Sequence, residues 1–229
     1  MERTNLFYRR PELYDEVQAD PGHSVARRCA AAIADHGPGR ARTVLDLGCG
    51  TGRELEYLAQ RFACVGVDVL PGMVGYGLRV RPHLDLRVGD LRVVRLGRRF
   101  DAVLCLGNTV AYLHAEAELA AAFGTFAAHA RPGGVLVLVT ATAAGARPAG
   151  THRVDTATVR AEVTIVQDWD PGTRISVVRR SWRLDDGGTA EDVIRRRIWA
   201  ADELRAMAAQ AGFRVVEADC NRLVAVAAG

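Results

Sequence analysis

VLDLGCGTGREL, residues 44–55, decides the reading of the fold. Apolar residues around one acid, Asp46, run into three glycines two apart, Gly48, Gly50 and Gly52. Arg53 and Glu54 then open a helical pattern. A buried strand that stops in a glycine turn and restarts as a helix lets backbone approach a ligand closely. Phosphates, dinucleotides and sulfonium compounds are all held at such turns, and the residues around this one separate them. A P-loop requires GxxxxGK[ST], and the chain has no lysine. A dinucleotide turn has G-x-G-x-x-G, whereas the spacing here is G-x-G-x-G. Asp46 stands two residues before the first glycine, where its charge favours a cationic group and repels a pyrophosphate.

Outward from this turn, strand and helix patterns alternate. GHSVARRCAAAIADH (22–36) reads as a helix, TVLDLG (43–48) as a strand, and RELEYLAQRF (53–62) as a helix. ACVGVDVL (63–70), LDLRVGDL (84–91), FDAVLCLGN (100–108) and GVLVLVT (134–140) read as further strands. PGMVGYGLRV (71–80) and HAEAELAAAFGTFAAHA (114–130) are the helices between them, the second stopped by Pro132-Gly133-Gly134. Near-continuous apolar strands alternating with helices predict a parallel sheet covered on both faces, with its ligand at the carboxyl ends of the strands.

After residue 140 the pattern changes. ATAAGARPAGTH (141–152) reads as loop. VRAEVTIVQDWD, RISVVRRSWRLDD and EDVIRRRIWA alternate apolar with polar residues and are separated by Pro171-Gly172 and Gly187-Gly188, which predicts antiparallel strands. ADELRAMAAQAG (201–212) is a helix, and FRVVEAD (213–219) with RLVAVAAG (222–229) reads as a closing hairpin. The expected architecture is α/β: a Rossmann-like, doubly wound, mostly parallel seven-stranded sheet with an antiparallel β insertion capping the active site. Its expected parts are an N-terminal lid segment (1–20), a core (21–140 and 200–229) and a cap (141–199).

The 229 residues carry a net charge of +3, which gives little support to a nucleic-acid partner. All basic residues besides histidine are arginine, which excludes Schiff-base and P-loop lysine chemistry. The five cysteines, at 29, 49, 64, 105 and 220, form no CxxC pair and predict neither a disulfide framework nor a structural zinc. No metal site is expected. No apolar run is long enough to span a bilayer, and the N-terminus has no signal-peptide core. Cytoplasm is the expected compartment.

VLDLGCGTGRELEYLA resembles motif I of the class I S-adenosylmethionine-dependent methyltransferases. The resemblance implies S-adenosyl-L-methionine as cofactor, with Asp46, Gly48, Cys49, Gly50 and Gly52 around its methionyl and ribose parts. In GVDVLPGMV it implies Asp68 on the ribose hydroxyls, with Val69, Leu70 and Met73 beside the adenine. In VGDL it places Asp90 on the adenine amino group and Leu91 beside the ring. Leu106, at the end of FDAVLCLGN, falls under the methyl-donor end. More narrowly, the chain resembles the glycine N-methyltransferase-like group and its amino-sugar N,N-dimethyltransferases, in which an N-terminal segment with tyrosines closes over the cofactor. Tyr8 and Tyr14 match that segment, and Asn108, Tyr112 and His114 are the candidates on the substrate side.

Each candidate also has a plain structural reading. Glu54 is a first-turn acid stabilising its helix. Cys49 is a small side chain that fits a tight turn. Trp169, Trp182 and Trp199 are core or sheet-face residues. The arginine runs 179–180 and 195–197 have alternate members facing out, which makes a solvated face the default. The expected activity is methyl transfer to a small molecule, an amine nitrogen of a secondary metabolite or amino sugar, because a neutral amine needs little help from a base. An O- or C-acceptor is the alternative, and a non-catalytic cofactor-binding sensor or assembly protein is the alternative of another class. The expected partner is a small-molecule acceptor, with no nucleic acid and no membrane; a homodimer is left open.

Overall fold

The computed structural model describes residues 5–143 and 149–228. The chain forms two compact units. The larger begins at Asp20, runs to Ala143 and resumes at Trp199; the smaller joins the N-terminal segment up to Ala19 to the stretch ending at Ile198.

In the N-terminal segment, α1 (Leu6–Arg9) is capped by the side chain of Asn5, and α2 (Pro11–Val17) starts on a proline whose missing N–H costs nothing there. Sequence patterning did not reveal these two helices; at four and seven residues they are too short for a periodic signal.

The larger unit opens with α3 (Ser24–His36), where Asp20 accepts from the Ser24 N–H and hydroxyl. Then follow β1 (Thr43–Leu47), α4 (Arg53–Leu58), β2 (Ala63–Asp68), α5 (Pro71–Val80), β3 (Asp85–Val88) and β4 (Phe100–Cys105). A 3-10 turn (Thr109–Tyr112) precedes α6 (Glu116–His129), which leads straight into β5 (Ala130–Val139). Glu118 reaches back to the N–H groups of His114 and Ala115, two donors that the start of α6 leaves without partners. Pro132-Gly133-Gly134, read as the stop of a helix, lies inside β5, where the pairing with β4 shifts register between Phe100 and Ala102.

The smaller unit's strands come next: β6 (Gly150–Asp155), β7 (Arg160–Asp170), β8 (Ile175–Leu184) and β9 (Thr189–Arg197). The chain then closes in the larger unit with α7 (Ala201–Gln210), β10 (Phe213–Ala218) and β11 (Arg222–Ala227).

The larger sheet has the order β10-β11-β5-β4-β1-β2-β3. Strands β1 to β5 are mutually parallel; β11 runs antiparallel to β5, and β10, antiparallel to β11, points the same way as β1 to β5. The order reverses between β1 and β4, the place where open α/β sheets take their ligands. Leu45, Leu47, Phe100, Val103, Phe123, Leu136 and Trp199 belong to one packed cluster, and Cys29, Ile33, Val44, Leu104 and Val137 to another.

The smaller sheet is the antiparallel meander β6-β7-β8-β9. Leu6, Phe7 and Leu13 pack against its Val159, Ala161, Val163 and Trp182. Strand β6 occupies the end of the stretch read as loop; as an edge strand with mostly exposed residues it lacks the alternating signal. At 179–180 alternate members face out as expected, so the solvated face holds for one arginine and not the other. Arg179 is exposed and pairs with Asp168, but Arg180 is buried and pairs with Asp192 at 2.6 Å. No helix among the described residues is long and apolar enough to cross a membrane.

Candidate functional site

The site begins with β1. Its pairing with β2 and β4 on either side holds Asp46 at the end of a buried strand, 1% exposed. The Oδ1 atom of Asp46 is buried and has no hydrogen-bond partner. Burial, together with the like charges of Glu54 and Asp68, pushes its carboxyl well above the usual range.

The turn that follows requires glycine. Gly48, Gly50 and Gly52 have φ values of 89°, 57° and 82°. A Cβ on Gly48 would lie 2.3 Å from Thr109 Cγ2, so the turn after β1 and the turn after β4 are pressed together. Gly48 and Cys49 both donate to the Val67 carbonyl, at 2.7 and 3.1 Å. The Cys49 thiol is buried and pushed well above its ordinary value by desolvation and then by Asp46 and Asp68, which makes it inert filling.

Asp68 closes β2. One carboxylate oxygen accepts from Gly50 N–H and the other from Leu70 N–H, each at 2.9 Å. Its backbone carbonyl accepts from Gly89, which draws the end of β3 alongside. Burial raises the Asp68 carboxyl and the N–H donors of Leu70 and Gly50 oppose that rise. Val69 and Leu70 are half-buried, while Met73 is 1% exposed. Beyond β3, Asp90 is gripped by Arg92, whose Nη2 lies 2.6 Å away and whose Nη1 reaches Glu118. That guanidinium holds the Asp90 carboxyl below the usual range. Leu91 packs on the neighbouring core, and Leu106 is 5% exposed.

After β4, Asn108 adopts a left-handed φ of 65° and its Oδ1 accepts from Ala141 N–H at 2.8 Å. This ties the ends of β4 and β5 together. Asn108 also lines a cavity of about 250 Å³ with Arg28 and Cys29 of α3, Thr140, Asn221 and Arg222. Tyr112 is half-buried at the end of the 3-10 turn, and His114 is exposed just before α6. The candidates from Asp46 to His114 thus lie in the larger unit, most of them in the turns beyond β1, β2, β3 and β4. Tyr8 and Tyr14 belong to the smaller unit and pack against its core. Arg28, Thr140 and Arg222 were not singled out from sequence, since they come from three distant segments and match no motif. Among the described residues no group of three His, Cys, Asp or Glu is arranged to hold a metal ion.

A family model for a methyltransferase domain matches residues 44–134, the stretch from β1 into β5. Over 131 residues the protein is 41% identical to a dTDP-3-amino-3,6-dideoxy-alpha-D-glucopyranose N,N-dimethyltransferase of Streptomyces fradiae, covering 56% of this chain and 51% of that one. It is 37% identical to a dTDP-3-amino-3,4,6-trideoxy-alpha-D-glucopyranose N,N-dimethyltransferase of Streptomyces venezuelae, covering 56% and 55%. These matches span about half the length of either relative. Likeness over almost the whole chain comes from structure. A SAM-bound amino pentose methyltransferase of Micromonospora echinaspora superposes with a TM-score of 0.82 at 28% identity, covering 98% of this chain and 99% of that one. That likeness takes in both the glycine turn and the seven-stranded sheet.

Proposed function

We propose that this protein is an S-adenosylmethionine-dependent N-methyltransferase acting on the amine of a small molecule, an amino sugar of secondary metabolism. The observation that carries the reading is Asp46: a carboxylate oxygen buried without a partner, at a turn built for close backbone approach. An α-ammonium group matches it in charge and donor chemistry. Asp68 fits the same ligand, because each oxygen retains a lone pair after its N–H contact and two vicinal hydroxyls can share them. Leu70, Met73 and Leu91 are apolar enough to flank an aromatic base, and Asp90 is assigned to its amino group. The three relatives named above are amino-sugar methyltransferases, which supports the acceptor class.

When bound, S-adenosylmethionine supplies an electrophilic methyl group on a sulfonium. The chain's own residues align and desolvate the reactants, which is the larger part of catalysis for an in-line displacement. The acceptor must lose one proton, and His114 and Tyr112 are the groups assigned to that side. Asn108 acts by holding the ends of β4 and β5 in place. The antiparallel unit is assigned to acceptor choice, because the chain leaves the large sheet for it at the carboxyl end of β5. Residues 1–20, of which 1–4 lie outside the described residues, are assigned as a segment ordered by cofactor, and a cytoplasmic location completes the reading.

Methyl-labelled cofactor offered with amino-sugar, hydroxyl and acidic-carbon acceptors tests the activity. Label on the amine nitrogen is expected. Saturable cofactor binding with transfer to none of these acceptors would leave only a binding protein.

A further inference from the structure

Three carboxylates converge on the glycine turn: Asp46 from β1, Glu54 from α4 and Asp68 from β2. Their surroundings differ. Asp68 has two backbone N–H donors that favour its charged form. Glu54 lies 2.7 Å from Arg53. The Oδ1 atom of Asp46 has neither kind of partner and is shut away from water. Four thiols also interact with Asp46: Cys29 of α3, Cys49 of the turn, Cys64 of β2 and Cys105 of β4. Arg28 and Arg222 act on Cys29. An ionised Asp46 would be a buried charge facing two like charges, which a protein avoids by keeping the group protonated.

Building on the cofactor assignment above, we propose that cofactor binding at the glycine turn is coupled to release of one proton from Asp46. In the ligand-free protein Asp46 is a neutral carboxylic acid. On binding, its O–H bond breaks, the electron pair stays on the carboxylate, and the proton passes to the buffer. The ligand's ammonium group, unchanged in charge, takes the place of the lost proton. The empty site thus carries no net charge at Asp46, and the occupied site holds an ion pair. Burial and the repulsion from Glu54 and Asp68 supply the driving force in the first state. The ligand cation supplies it in the second.

Calorimetric titration of the full chain with S-adenosylhomocysteine tests this, in buffers of different ionisation heat between about pH 5 and 7, where the ligand amine stays protonated. About one proton released per ligand is expected, with affinity rising roughly tenfold per pH unit below the Asp46 pKa. In Asp46→Asn, checked for folding by circular dichroism, binding should be weaker at neutral pH and its pH slope and proton release should vanish. Binding with no proton released overturns the proposal and leaves the cofactor assignment standing. So does an Asp46→Asn variant that releases the same proton. No binding at any pH overturns the assignment and the proposal together.

Discussion

Strands β4 and β8 show two ways of placing charge in a sheet. Every residue of β4, FDAVLC, is buried, since helices cover both faces of a parallel sheet. Strand β8, ISVVRRSWRL, alternates between inside and outside and carries its charges along its length. In the smaller unit these charges are matched across strands: Arg183 with Glu162, Arg179 with Asp168, and Arg180 with Asp192. In the larger unit charge is driven to strand ends. At the amino end of β4, Asp101 is held ionised by N–H groups of Arg42 and Thr43 and by Arg131. At the carboxyl end of β1, Asp46 lacks any such support for its Oδ1. Charge that the fold satisfies is structural, and the charge that it leaves unsatisfied at one edge is where we propose that a ligand binds.

Breaking the buried pair of the smaller unit should have the largest effect. Asp192 is fully buried, accepts from Arg180 at 2.6 and 3.0 Å and from the Trp182 indole N–H at 3.0 Å. Arg180 also donates to Asn5 and lies over the Phe7 ring at 4.3 Å. Asp192→Ala leaves a buried guanidinium without its counter-ion, a loss of about 3–5 kcal/mol. Arg180→Met combined with Asp192→Leu should recover most of it. Urea unfolding measures both. A cost under about 1 kcal/mol for Asp192→Ala would mean that these charges do not hold the smaller unit together.

Next comes the turn itself. Gly48→Ala meets two penalties: a left-handed φ, costing about 1–2 kcal/mol, and collision with Thr109. Gly97→Ala is the control, with φ 69° and open space around it, so only the first penalty applies. Gly48→Ala should therefore be the more destabilising of the two in thermal unfolding. Adding Thr109→Ala should return part of the difference, through a coupling of about 0.5–3 kcal/mol. Equal effects at both glycines would show that the turns after β1 and β4 are not pressed together.

Asp68→Ala tests the ligand edge without touching the core. Each charge-assisted hydrogen bond is worth about 1.5–3 kcal/mol, so S-adenosylhomocysteine should bind roughly tenfold to a hundredfold more weakly by calorimetry. Unchanged affinity would remove Asp68 from the proposed ribose contact.

Local chemistry explains what was legible from the sequence. The turn at 48–52, the strands around it and the core position of Trp199 could be read because each is a pattern within a few consecutive residues. Trp199 is 1% exposed and donates to the Val110 carbonyl. The parallel sheet covered on both faces followed from the alternation of strand and helix, whereas its strand order did not. Arg180, Asp192 and Asn5 could not be joined in advance, because they come from two strands and the N-terminal segment. The same holds for Arg28, Thr140 and Arg222 around one cavity. Short elements such as β6 and α1 left no periodic trace.

The smallest expected effect concerns His129, which sharpens the contrast because the larger unit buries it uncharged. It sits in the last turn of α6, where the helix dipole favours a cation. Yet it is 1% exposed, its Nδ1 faces the Thr125 carbonyl at 2.8 Å, and its Nε2 accepts from Leu96 N–H at 3.0 Å. A proton on Nε2 would point at that N–H. Burial therefore holds the imidazole below its ordinary value of 6.5, against the pull of the Thr125 carbonyl and with a push from Arg95. Because the unfolded chain then binds the proton more readily, the contribution to stability is full above about pH 6.5 and is lost as pH falls toward the folded value. At its steepest the slope is about 1.4 kcal/mol per pH unit for one proton. Gln in place of His129 can still accept from Leu96 and cannot titrate. Thermal unfolding from about pH 5 to 7.5 should then show a shallower acid-side decline in His129→Gln than in the native protein. A parallel decline in both would mean that His129 protonates without cost, and that the larger unit does not owe its acid sensitivity to this buried neutral ring.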